Sequence, residues 1–135
     1  PDSSRDCLHN TALGKAYLAA LPADSLHAKI DAMALKRKTD NTIRSKKKLM
    51  AELRTVRARG YAMSVEEYLP GLIAIGASLV DPLSAEAVGA VSFDFSVLQN
   101  TPADIQARYA EMVVATAAAL SDVLPPEKGR RPTGS

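Results

Sequence analysis

Apolar residues recur along this chain with two different periods, and the switch between them separates helices from strands. Between Thr11 and Leu21, the residues Leu13, Ala16, Tyr17 and Ala20 fall three and four apart, the spacing of one buried helical stripe. Asn10 or Thr11 can cap the start of this helix, and Pro22 ends it. A second helix is predicted over Asp24 to Ala34, with Leu26, Ile30 and Met33 inward. The pattern lapses from Leu35 to Thr42, which reads as a basic loop. Ser45 then caps a third helix running to Arg59, with Leu49, Leu53 and Val56 on its apolar face and Gly60 as its left-handed stop.

After Gly60 the period becomes two. Tyr61, Met63 and Val65 alternate with smaller or polar residues, as in a strand. Leu72 to Val80 and Ala87 to Phe95 are two further strands, joined by Asp81 to Glu86 with its Asp-Pro turn. Thr101-Pro102-Ala103-Asp104 opens a last helix with a cap, a proline in the first turn and an early acid. Its predicted buried stripe is Ile105, Tyr109, Met112, Val113, Leu120 and Val123, and Pro125-Pro126 ends it. One domain is therefore expected over residues 1–124, followed by a polar, disordered tail over 125–135 whose last residues resemble a cloning remnant. There is no internal repeat. Three helices, three strands and a closing helix make an α+β fold with a thin sheet for its helices.

The composition narrows the class. Four Tyr, two Phe and no Trp leave an aliphatic, alanine-rich core. The longest uncharged apolar run, Met112 to Leu120, is far short of the ~20 residues of a membrane span. The N-terminus shows no export pattern and the single Cys7 can form no internal disulfide, so a cytoplasmic protein without membrane contact is expected. The net charge of +2 hides an uneven distribution: ten Lys and Arg against two acids lie between Lys36 and Arg59. That segment reads as a solvated face or as a contact for nucleic acid, although it lacks aromatics to stack on bases. Arg54, Arg57 and Arg59 suit the negative end of the third helix, whereas Lys46, Lys47 and Lys48 crowd its positive end and point to an anionic partner or to solubility.

Two segments, taken in order, resemble a known family. HNTALGKAYLA (His9 to Ala19) is similar to the H-A-T-A-L-G-K-A-L-L-A stretch of the IclR family of bacterial transcription regulators. RARGYAMSVEEYLPGL (Arg57 to Leu72) is similar to that family's R-x-R-G-Y-A-x-D-x-E-E-x-x-x-G-L block. A strand of small residues, the VSFDFS strand and a long terminal helix follow, so the resemblance covers about His9 to Leu124. It implies a GAF-like antiparallel sheet flanked by helices, in an effector-sensing and oligomerisation domain. Three of the family's strands precede the helix near Thr11, and its winged helix-turn-helix reads DNA. On this resemblance the chain is a C-terminal portion that begins after those strands, touches DNA only through the domain it lacks, and forms a homodimer or a dimer of dimers. A sheet lacking its first strands is expected to expose an edge.

The residues at the first helix start fit a small organic effector. At Thr11-Ala12-Leu13-Gly14 several N–H groups lack an intrahelical partner, and Ala12 and Gly14 leave room for a ligand oxygen, or simply for tight helix–sheet packing. The resemblance places pocket positions at Ala12 and Leu13, at Ser64 where the family has an acid, at Ala74, and at Ser92 and Asp94 in place of alternating serines. One carboxylate is lost and one gained, which turns the expected effector toward an aromatic, hydroxylated or amino-bearing acid, or a neutral molecule. Glu66 and Glu67 read as adjacent strand residues facing opposite ways, with structural roles, bonded to backbone or to nearby arginines. Lys15 reads as outward-facing or interfacial.

Catalysis is not expected. His9 and His27 are the only histidines, and His9 reads as a loop histidine bonded to backbone. Ser92 and His9 could compose a triad only without a nucleophile elbow or an oxyanion motif. Cys7 and His9 lack a second ligand pair for zinc, and no glycine-rich phosphate loop follows a strand, so neither metal nor cofactor is expected. Two other readings stay open: a GAF-like interaction and dimerisation module without a ligand, and a nucleic-acid contact through Lys36 to Lys48.

Overall fold

A computed structural model describes residues 7–124. The proposed tail over 125–135 lies outside the described residues. The elements are α1 (Ala12–Ala19), α2 (Ala23–Ala32), α3 (Lys46–Arg59), β1 (Ala62–Val65), β2 (Leu72–Val80), β3 (Ala87–Ser96) and α4 (Pro102–Val123). The strands form one antiparallel sheet in the order β1-β2-β3. Among the described residues both β1 and β3 are edges.

The helix starts are built as the capping residues dictate. The Gly14 N–H donates to Thr11 Oγ1 (3.0 Å), the Lys48 N–H to Ser45 Oγ (3.2 Å) and the Asp104 N–H to Thr101 Oγ1 (3.2 Å). Gly60 closes α3 at φ 90°, a conformation that glycine adopts without the steric cost a Cβ would impose.

The sheet separates two cores. Side chains alternate along β2, so Ile73, Ile75 and Ala77 face α4, where they pack with Met63, Ile105, Val113 and Ala117. The other face carries Leu72, Ala74 and Gly76 and is crossed by α1, which packs in turn on α2 and α3 through Ala16, Leu18, Ala19, Leu26, Ile30, Leu49, Leu53 and Val56. A Cβ on Gly76 would lie 2.9 Å from the Val91 carbonyl oxygen and 3.4 Å from the Ala12 carbonyl carbon, so the missing side chain lets α1 begin directly against the sheet.

Four expectations need correction. The buried line of α4 is Ile105, Val113, Ala117 and Ser121, while Met112 (44%), Leu120 (40%) and Val123 (75%) are exposed. Steps of four overrun a 3.6-residue turn, so the buried line drifts around α4 along the sheet and departs from a stripe of fixed phase. On α1 the stripe of Leu13 and Tyr17 is not core: Leu13 is 46% exposed, and Ala12, Gly14, Lys15, Ala16, Leu18 and Ala19 are buried instead. A helix enclosed on several sides has no single apolar stripe to read. Lys15 is fully buried, not outward, because carboxylates meet it. Glu66 and Glu67 follow β1 in a turn, Glu66 at φ 52°, and are not strand residues.

Candidate functional site

α1 does not lie flush on the sheet along its whole length. Beside its N-terminal turn it leaves a cavity of about 470 Å³, within the size range of small-molecule sites. The antiparallel register explains which residues reach it. Ser64 pairs with Ala74, which pairs with Asp94, and Gly76 pairs with Ser92, so one sheet face presents Ser64, Ala74, Ser92 and Asp94 in neighbouring rows. From above come Thr11, Ala12, Leu13 and Gly14. The structure thus brings all eight sequence-derived candidates to the lining of one cavity.

Their individual environments differ. Thr11 Oγ1 donates to the Cys7 carbonyl (2.7 Å) besides accepting from Gly14, which closes the chain before α1 over the helix start. Gly14 is required for that closure: a Cβ there would sit 2.4 Å from Leu8 Cα and 2.8 Å from the Cys7 carbonyl oxygen. Its missing side chain therefore serves packing on the Cys7–Leu8 backbone. The N–H groups of Ala12 and Leu13 find no acceptor among the described residues. Ser64 is buried and its Oγ donates to the Asn10 carbonyl (2.7 Å), leaving lone pairs but no proton for a ligand. Ser92 is half-buried, and Asp94 is exposed at the edge of the cavity.

Residues beyond the candidates complete the lining. Tyr17 lies one turn after Leu13, so helical spacing alone could have placed it there. Leu72 shares the face of Ala74 by the two-residue period. Tyr68, in the irregular turn after β1, carries no sequence signal for its position. Neither tyrosine hydroxyl has a protein partner among the described residues, so each is available to donate to a ligand oxygen. The wall is otherwise aliphatic, with Leu8 and Ala90. It is a largely apolar site with a few separated polar groups.

The remaining motif residues hold the frame. Lys15 Nζ donates to Glu52 Oε2 (3.0 Å) and to Glu67 Oε1 and Oε2 (3.0 and 3.2 Å), tying α1 to α3 and to the turn that bears Tyr68. Glu67 also accepts from the Val65 N–H (3.1 Å), and Glu66 Oε1 accepts from the Gly71 N–H (2.9 Å). Both glutamates are structural, as expected, but the cation is Lys15 and not an arginine. His9 is buried and its Nε2–H donates to the Lys36 carbonyl (2.8 Å), away from the cavity lining. Its Nδ1 and the Asn10 side-chain amide are buried without a partner among the described residues. Among the described residues no three metal-ligating side chains converge, and no helix is long and apolar enough to cross a membrane.

Comparison with known proteins gives this geometry a setting. Residues 4–122 match the family described as bacterial transcriptional regulator IclR, C-terminal. The HTH-type transcriptional regulator BhcR of Paracoccus denitrificans is 36% identical over 129 residues, covering 95% of this chain and 45% of that protein. The chain spans less than half the length of the curated relatives it matches. The solved C-terminal domain of the Escherichia coli transcriptional regulator KdgR superposes with a TM-score of 0.74 at 30% identity, over 85% of this chain and 69% of that one. The inducer-binding domain of PobR from Acinetobacter, a double mutant in complex with 3-hydroxybenzoic acid, superposes with a TM-score of 0.78 at 25% identity, over 87% and 68%.

Proposed function

The chain belongs to the IclR family of bacterial transcription regulators, as its C-terminal domain, and on that premise we propose that its cavity binds a small aromatic or hydroxylated carboxylic acid as the effector of a cytoplasmic regulator. The observation that carries the reading is the cavity of about 470 Å³ between the α1 start and the sheet. Its apolar wall of Leu8, Ala12, Leu72, Ala74 and Ala90 suits a ring or short aliphatic body. The free N–H groups of Ala12 and Leu13 and the hydroxyls of Tyr17 and Tyr68 are the donors for a carboxylate. Ser92 and Asp94 accept from a hydroxyl or amine, which favours effectors bearing a donor besides the acid. That the PobR domain holds a hydroxyl-bearing aromatic acid supports the same chemistry. A ligand-free packing module is disfavoured by the open cavity.

In this reading the regulator is a homo-oligomer that contacts DNA through a winged helix-turn-helix outside this chain. The effector acts only through a difference in affinity between two arrangements of the subunits, which changes how the DNA-binding halves are presented. The family is one of transcription regulators and not of enzymes, so the site is read for binding alone.

The test is a thermal-shift titration of the chain against aromatic acids, aliphatic acids, amines and neutral phenols. A ligand at a hundredfold excess over its Kd stabilises by about 2.7 kcal/mol, which raises Tm by several degrees. Ala74→Phe, which fills the cavity, removes the shift, and Ser92→Ala reduces it for donor-bearing acids. Absence of any saturable shift across these classes, or a shift unchanged in Ala74→Phe, would rule the reading out.

A further inference from the structure

We propose that the exposed face of α3, with the residue that leads into it, is a second contact for duplex DNA, one that grips backbone phosphates without reading sequence. The inference rests on the reading of the chain as part of a DNA-binding regulator. It lies apart from the effector cavity, to whose lining α3 contributes no residue. From Arg44 to Arg59 the chain carries seven Lys and Arg against one acid, Glu52. Three of these cations are tied into the fold: Lys46 Nζ donates to the Asp31 carbonyl (2.7 Å), Arg57 Nη1 to that of Leu21 (3.3 Å) and Arg59 Nε to that of Tyr61 (2.8 Å). Glu52 is turned to the buried Lys15. Arg44, Lys47, Lys48 and Arg54 remain. All four are exposed, and among the described residues none of their side chains is hydrogen-bonded or ion-paired.

Helical geometry gathers these charges on one side. α3 buries Leu49, Leu53 and Val56. Lys47 and Arg54 stand nearly in line on the opposite side, about 10 Å apart along the axis, with Lys48 on the flank and Arg44 just ahead of the first turn. The exposed positions between and beside them are Ala51, Thr55 and Ala58, small enough to let a rod-shaped polyanion come close. Lys47 and Lys48 stand at the positive end of the helix dipole, where cations cost stability, so the fold itself has no use for them. The chemistry of the face selects its occupant. Among the described residues no large, exposed apolar side chain lies between Lys36 and Arg59, so the anchors that seat a protein partner or enter a lipid surface are missing. The same segment has no aromatic to stack on the bases of a single strand. A row of unpaired cations without either feature matches the phosphates of a duplex, which are held by charge alone. A duplex already held by the regulator's DNA-binding domain is the polyanion within reach, and the tether raises its effective concentration at this face.

The experiment is fluorescence anisotropy of a labelled duplex titrated with the chain at a series of salt concentrations. Four phosphate contacts give log K against log salt a slope of about −3.6, a loss of roughly a hundredfold between about 50 and 200 mM salt. Duplexes of unrelated sequence bind alike, because phosphates carry no sequence information. Lys47→Ala and Arg54→Ala each make the slope shallower by about one, and replacing all four cations by alanine abolishes binding. Arg108→Ala, on the exposed side of α4, leaves affinity and slope as they are. The substituted positions are exposed, and circular dichroism melts establish that each variant is folded. A chain that does not bind duplex at about 50 mM salt overturns the proposal, and so does a slope shallower than about −1. Variants of α3 that bind as the unsubstituted chain does, or an equal loss in Arg108→Ala, overturn it as well. A tighter grip on single strands than on duplex, or binding to vesicles of anionic phospholipid but not to duplex, assigns the face to another partner and overturns it too. Each of these results leaves the effector reading to its own thermal-shift test.

Discussion

At the scale of single residues, Lys15 and Gly14 show how the family motif works physically. Lys15 is buried with two carboxylates in reach, an arrangement in which losing one partner costs far more than the group contributes net. Lys15→Met is therefore expected to lower the unfolding free energy by about 3–5 kcal/mol in urea denaturation, because it strands Glu67 in the interior. Adding Glu67→Gln to that variant is expected to recover part of the loss, which a double-mutant cycle reads directly. Gly14→Ala puts a methyl group 2.4 Å from Leu8 Cα, a backbone atom that cannot rotate away. Its expected cost is about 1–3 kcal/mol or more, visible as a lowered Tm. Lys15 pairs with Glu67, 52 residues later in the chain, so the two motif segments meet in space. No local pattern shows it, and helical phase alone pointed the wrong way.

At the scale of elements, the boundaries follow from capping chemistry, which is local. Thr11, Ser45 and Thr101 cap where they were expected to, and Gly60 ends α3 in a left-handed turn, whereas α1 stops at Ala19, short of Pro22, which stands at the N-cap position of α2. The facing of each helix is another matter. On α4 the predicted stripe included Val123, which is 75% exposed, and omitted Ala117 and Ser121, which are buried. Ser121 is polar, yet it is buried because its Oγ accepts from the Val80 N–H (2.9 Å) and donates to the Ala117 carbonyl (2.8 Å), so it caps the sheet end from inside. Ile105→Ala is expected to cost about 2–5 kcal/mol and Val123→Ala under about 0.5 kcal/mol, a contrast that equilibrium unfolding resolves. The segment between α2 and α3 looked like a free basic loop. Thr42 Oγ1 in fact donates to the Glu67 carbonyl (2.6 Å), and Thr39 donates to that of Glu66, which fastens the loop to the turn after β1.

At the scale of the whole molecule, the three-stranded sheet works as a partition, with the cavity and α1 on one face and α4 on the other. Ala74→Phe is expected to abolish the ligand-induced thermal shift, whereas Arg108→Ala, on the exposed side of α4, leaves that shift unchanged. All eight candidate positions meet at one cavity, yet only part of that meeting was legible in the residues. Alternation along a strand places Leu72 with Ala74, and the helix start places Ala12 beside Leu13, because these are consequences of backbone geometry over a few residues. That Ser64, Ala74 and Asp94 form one row depends on strand register, and the family resemblance supplied it where periodicity could not. Element order, caps, the α+β class and the change of period were readable from the chain itself, since each arises from interactions within one or two turns. The burial of Lys15, the arrival of Tyr68 at the cavity, the anchoring of the basic loop and the side of α4 that is buried were decided by the tertiary structure. Each depends on which distant side chain or carbonyl happens to stand opposite, and sequence spacing holds no information about that.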